Sequence, residues 1–125
     1  MTIFISKKIK KDSGFVEYVV NDVLAGIEGI TVRPMFGGYS IYKNGVIFAL
    51  IVKGDKLYFK ADEKTKADFE KFGSRQFVYR YPNSNRQIAM PYWELPAEIM
   101  EDKETIKEWV EKSYQAGLSL RDNKK

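Results

Sequence analysis

The segment YSIYKNGVIFALIVKGDKLYFK, residues 39–60, decides most about what this chain can fold into. Its apolar-rich runs are separated by Asn44-Gly45 and by Gly54-Asp55. Alternation with a period of two is the pattern of a strand, whose side chains point to opposite faces in turn. Asn-Gly between two such runs is the strongest short hairpin signal, because a type I′ turn needs φ > 0 at both central residues. The spacing predicts strands over 39–43, 46–53 and 56–60. A type I′ turn joins the first pair, and a two-residue type II′ turn joins the second. Strands joined by tight turns are antiparallel. The predicted register sets Lys43 opposite Val46 and Lys53 opposite Lys56. One face then carries Tyr39, Ile41, Phe48, Leu50, Val52, Leu57 and Phe59 and is expected to be core. The other carries Ser40, Tyr42, Ile47, Ala49, Ile51, Tyr58 and Lys60 and is mixed.

The flanking segments supply the helices and the remaining strands. Residues 1–11 read as a basic flexible arm. Apolar residues recur at 15, 16, 19, 20, 23, 24 and 27, a wide helical stripe. Asp12 or Ser13 can cap it, and Gly26 or Gly29 can end it. GITVR, 29–33, reads as a short strand stopped by Pro34. Asp62 caps a short helix with Thr65, Phe69 and Phe72 on one side, ended by Gly73. FVYRY, 77–81, and QIAMPYW, 87–93, form a second hairpin across Pro82-Asn83-Ser84-Asn85. Pro91 lacks a ladder donor, so its strand is expected at a sheet edge. Asp102 caps a last helix with Ile106, Trp109, Val110 and Ser113 inward, and Glu108 and Lys112 are spaced for i,i+4 support. The order is α-β-β-β-β-α-β-β-α. It predicts an α+β fold, a two-layer sandwich with an antiparallel sheet and helices mainly on one face. Residues 12–117 are expected to form the one domain, followed by a basic tail over 118–125.

Composition narrows the chemistry. At 125 residues, with 44% apolar and 30% charged, the chain suits one self-sufficient core rather than a disordered segment. It has no cysteine and no histidine, so disulfides, thiol nucleophiles, the usual general base and the commonest metal ligand are all excluded. The longest apolar run, 46–52, is far short of the ~20 residues of a spanning helix, and the first residues lack a signal-peptide core. A cytoplasmic setting without membrane contact is expected. The net charge of +4 is concentrated at the ends. Lys7, Lys8, Lys10 and Lys11 supply +4 before any acid, and residues 121–125 add a net +2, which leaves −2 for 12–120.

No catalytic constellation assembles from these residues. Gly37-Gly38 could form an anion nest, but no GxxxxGK[ST] or GxGxxG pattern is present, and a strand follows rather than a helix. A tight bend or bulge is the plainer reading. FVYRY with Arg86 interleaves aromatics and bases as a single-strand-binding sheet does. Alternation alone already explains Phe77, Tyr79 and Tyr81 as one strand face. Asp62-Glu63, Glu98 and Glu101-Asp102 each fall at a predicted helix start, where carboxylates suit the positive dipole end. Met35, Met90 and Met100 read as gap fillers rather than a binding surface.

VRPMFGGYSIYKNGVIFALI, 32–51, resembles the opening signature of the TfoX N-terminal domain family, which includes the TfoX/Sxy competence regulators. Arg33, Met35, Phe36, Gly37, Gly38, Tyr42, Gly45, Phe48 and Ala49 fit the family's R-x-MFGG-x-G-hydrophobic-Y, glycine-turn, F-A pattern. LYFKAD, 57–62, FVY, 77–79, and MPYWELPAEIMED, 90–102, resemble its later segments, so the likeness spans about 12–117. Ser40 stands where the family often has glycine. Met35, Phe36, Gly37, Gly38, Asn44 and Gly45 form its structural signature. Two-domain members continue into a helical C-terminal domain, whereas this chain stops at Lys125 and resembles a stand-alone N-terminal domain.

The resemblance implies an antiparallel α+β sandwich, no cofactor and no reaction. In two-domain members it implies transcriptional coactivation with the cyclic-AMP receptor protein, which supplies the DNA specificity. The expectation is therefore a non-catalytic module that binds a transcription regulator or the transcription machinery, as monomer or homodimer. Arg33, Phe36, Tyr42, Tyr58 and Lys60 are its candidate contacts. The alternative is direct nucleic-acid binding through Lys7, Lys8, Lys10 and Lys11, and a small-molecule or enzymatic role comes third.

Overall fold

The computed structural model describes residues 14–35 and 37–122. Helix α1 (Gly14–Tyr18) runs into a π-helical turn, Val19–Val23, in which the Leu24 N–H donates to the Val19 carbonyl at 2.9 Å. Val16, Val19, Val20, Val23 and Leu24 are buried, as the stripe predicts. Asp12 and Ser13 lie outside the described residues. The strands are β1 (Ile30–Met35), β2 (Gly38–Lys43), β3 (Val46–Val52), β4 (Lys56–Lys60), β5 (Gln76–Arg80) and β6 (Gln87–Glu94). Helices α2 (Lys66–Glu70), α3 (Ala97–Met100) and α4 (Lys103–Asp122) complete the chain. The six strands form one antiparallel sheet, ordered β1-β2-β3-β4-β6-β5. The fold is α+β, as the sequence predicts.

Asn44 (φ 51°) and Gly45 (φ 81°) both have positive φ, as a type I′ turn requires, and Lys43 pairs with Val46. Beyond that turn the register departs from expectation twice. Tyr42 pairs with Ile47 but Ile41 pairs with Ala49, so Phe48 is an extra residue in a β-bulge. Val52, not Lys53, pairs with Lys56, so the second connection has three residues. Gly54 (φ 90°) and Asp55 (φ 58°) are both left-handed there, which a type II′ turn does not have. The bulge reverses the far half of β3. Ala49 and Ile51 join Phe48 in the helix-covered core, whereas Leu50 and Val52 face the other way. The three-residue turn reverses the parity again, so Leu57 and Phe59 are core as predicted.

Both strand prolines behave differently from expectation. Pro34 does not stop β1, which continues to Met35. β1 is an edge strand, and a residue without an N–H is tolerated there. Pro91 lies in an interior strand, between β4 and β5, and β5 is the edge instead. It falls where the β5–β6 register shifts, between Gln76↔Trp93 and Val78↔Ala89. Gln76 Nε2 donates to the Met90 carbonyl there at 2.9 Å, and the Pro91 carbonyl accepts from the Ala61 N–H at 3.0 Å.

The core lies between the sheet and the helices. α4 crosses β3 and β4, with Ile106, Trp109, Val110 and Ser113 buried as predicted. Ser113 Oγ has no hydrogen-bond partner. Asp102 Oδ1 accepts from the N–H groups of Thr105 (3.2 Å) and Glu104 (3.1 Å), and the Thr105 bonds above all hold its carboxyl below the usual range. Asp62 Oδ1 likewise accepts from Lys64 and Thr65 before α2. Phe69 is buried, edge-on to Trp109 at 4.8 Å. Phe72 also packs on Trp109, as Phe69 does, but is 47% exposed. Lys112 pairs with Asp68 of α2 at 3.1 Å instead of taking the expected Glu108 contact. α3 is a short helix that the sequence did not announce. α4 runs through residues 118–122, which the sequence assigned to a tail.

Candidate interaction surface on the open sheet face

No described helix covers the second face of the sheet, and the register sets its side chains in rows. Arg33, Ser40, Leu50, Tyr58 and Glu94 are successive cross-strand partners from β1 to β6. Tyr42 pairs with Ile47 in the next row, and Lys60 pairs with Tyr92. Leu50 (5% exposed), Tyr58 (8%) and Tyr92 (5%) form a compact cluster with Met35, Ile47, Val52, Phe77 and Met90 against it. Four of the five predicted contacts, Arg33, Tyr42, Tyr58 and Lys60, therefore share this one face. Phe36 lies outside the described residues, as do Lys7, Lys8, Lys10 and Lys11.

Cations sit over aromatic faces on both sides of the cluster. The Arg33 guanidinium lies 5.3 Å from the Tyr42 ring centre, and Lys60 Nζ lies 5.2 Å from that of Tyr92. Tyr58 and Phe77 rings meet at 5.2 Å. Ser40 is buried. Its Oγ sits 3.4 Å from the Arg33 carbonyl oxygen and 3.3 Å from Tyr42 Oη, so its proton has two acceptors in reach. Burial, and then the neighbouring Tyr42, push the Tyr92 phenol far above the ordinary tyrosine range. Burial also raises Tyr58, with Glu94 adding to it and Arg75 opposing.

The two glycines at 37 and 38 answer to backbone geometry. Met35 pairs with Gly38, and Gly37, between β1 and β2, has φ 79°. A Cβ on Gly38 would run into the Ile51 carbonyl oxygen. Among the described residues no three His, Cys, Asp or Glu side chains converge as a metal site needs, and no helix is long and apolar enough to cross a membrane.

Sequence reasoning missed Leu50 and Tyr92. Plain alternation places Leu50 in the core, because the bulge at Phe48 carries no residue signature. Tyr92 was legible in principle, since it neighbours Trp93 in a strand and must face the other way.

The architecture is an antiparallel sheet with one helix-covered face and one open face that carries an aromatic cluster flanked by Arg33 and Lys60. The chain matches the TfoX N-terminal domain over residues 22–117 and belongs to that family, which is associated with competence regulation. No curated protein matches it.

Proposed function

We propose that the chain is a non-catalytic protein-interaction module in bacterial transcriptional regulation, docking its partner on the open sheet face. The observation that carries this is the half-buried apolar and aromatic rim, Ile47, Val52, Phe77 and Met90 around the buried Leu50–Tyr58–Tyr92 cluster, on a face without a described helix, with Arg33 over Tyr42 and Lys60 over Tyr92. Aromatic rings and arginine are the side chains that dominate binding energy at protein interfaces. The sheet positions of this face also carry Lys56 beside Arg33 and Lys60, against the one acid Glu94, so a partner with apolar and acidic groups suits it best. Family membership supports a regulatory setting, and the partner is a transcription regulator or part of the machinery.

The test is a pull-down from nuclease-treated native extract, comparing wild type with Arg33→Glu/Lys60→Glu and with Lys107→Glu on the exposed side of α4. Transcription proteins are expected with wild type and Lys107→Glu and not with the double variant. Undiminished capture by the double variant would remove the open face from the account.

A further inference from the structure

The β5–β6 hairpin outruns the rest of the sheet. β4 meets β6 only from Tyr58↔Glu94 to Lys60↔Tyr92, followed by the Ala61 N–H bond to the Pro91 carbonyl. Val78–Arg80 and Gln87–Ala89 pair with each other beyond that point, and among the described residues with no third strand. This two-stranded ribbon has a charge unlike that of the body behind it. From Phe72 to Trp93 there are three arginines, Arg75, Arg80 and Arg86, and no Asp or Glu. Residues 12–120 carry −2, so without those three arginines the same span carries −5. The ribbon stretch is thus net positive within a span that is otherwise net negative.

The aromatic residues of the ribbon are not core. Phe77 packs on Tyr58, but Tyr79 and Tyr81 pack on each other edge to face at 5.2 Å, half-buried. The Arg86 guanidinium lies 4.9 Å from the Tyr81 ring centre. Arg80, Ser84, Asn85, Arg86 and Gln87 line one concavity at the tip. Each of these side chains has an N–H or O–H to donate, and none is a carboxylate. The tip is shaped by its own bonds: the Tyr81 N–H donates to the Arg86 carbonyl at 3.1 Å, the Arg86 N–H donates to Ser84 Oγ at 3.0 Å, and Asn83 is left-handed at φ 58°.

We infer that the tip of the β5–β6 hairpin binds the phosphate backbone of single-stranded nucleic acid. Arg80 and Arg86 neutralise phosphates, and the Ser84, Asn85 and Gln87 side chains donate to the phosphate oxygens. Tyr79 and Tyr81 offer ring surface on which unpaired bases stack, and stacking tolerates any base because every base has a π-face. The inference uses none of Arg33, Tyr42, Tyr58 or Lys60, so it and the open-face reading stand or fall separately.

The experiment is fluorescence anisotropy of the full chain with a labelled single-stranded oligonucleotide across a potassium chloride series. Wild type is compared with Arg80→Gln/Arg86→Gln, Arg80→Lys/Arg86→Lys, Tyr79→Leu/Tyr81→Leu and a variant with Lys7, Lys8, Lys10 and Lys11 all changed to glutamine. The glutamine pair at the tip is expected to weaken binding about tenfold or more at low salt and to reduce the salt slope by roughly 1.4, at about 0.7 per lost contact. The lysine pair keeps the slope, a pattern that misfolding cannot produce. The leucine pair weakens binding with the slope unchanged. An unchanged affinity and slope for the glutamine pair would overturn the inference. So would the absence of binding by wild type, or a loss of binding confined to the arm variant. Arginine-dependent binding to phosphatidylglycerol vesicles but not to the oligonucleotide would overturn it as well.

Discussion

Gly37 and Gly38 are neighbours with different reasons to be glycine. Gly37 takes a left-handed φ of 79° in the β1–β2 turn, with open space where a Cβ would go. Gly38 has ordinary strand geometry but sits against the Ile51 carbonyl of β3. A backbone atom in a central strand cannot step aside as a flexible side chain can. Gly38→Ala is therefore expected to cost roughly 3 kcal/mol in urea unfolding, and Gly37→Ala about 1 kcal/mol. Equal costs, or the reverse order, would contradict this. The same scale holds the alkaline behaviour of Tyr92. Its native pKa is raised mainly by burial, so its stabilising contribution is complete below the unfolded value of about 10 and fades as pH climbs towards the native value. Stability should fall above about pH 10 in wild type and fall less steeply in Tyr92→Phe. Parallel pH profiles for the two proteins would show that Tyr92 is not the group responsible.

Elements show why some of the fold was readable and some was not. The Asn44-Gly45 hairpin is set by two adjacent residues whose backbone demands are local, so the sequence states it outright. β3 is different. VIFALIV is buried on both faces, so its apolar run has no alternation from which to read a face. The bulge at Phe48 and the three-residue turn at 53–55 each shift the register by one, and neither has a residue signature. Their effects cancel, so β4 was assigned correctly while half of β3 was not. Pro91 misled because a missing N–H is compatible with an irregular ladder as well as with an edge. The Gln76 side chain takes the Met90 carbonyl at that irregularity. Gln76→Ala should cost about 1 kcal/mol and speed amide exchange in β5 while leaving α4 unaffected. Unchanged exchange in β5 would show that the side-chain bond does not hold the ribbon.

At the scale of the whole molecule, the chain divides its apolar residues between two unequal jobs. The larger set, from Val16 through Trp93 to Val110, closes the sheet against the helices. The smaller set around Leu50, Tyr58 and Tyr92 lines the open face. That four predicted contacts fall on one face follows from the strand period. Arg33, Tyr42, Tyr58 and Lys60 lie in the family-like segments at strand positions, and antiparallel pairing brings such positions into register. The interleaved aromatics and bases of FVYRY with Arg86 are legible in the sequence, but strand alternation explains them equally well, and only the folded ribbon brings Arg80 and Arg86 to one concavity.

The central claim is that the open face, not the helical side, meets the partner. The most direct measurement incorporates a photo-crosslinking amino acid at Tyr42 in one version of the chain and at Lys107 in another, both expressed in the native cell. The account predicts that a transcription protein is crosslinked from position 42 and not from position 107. A partner crosslinked from position 107 alone would contradict it.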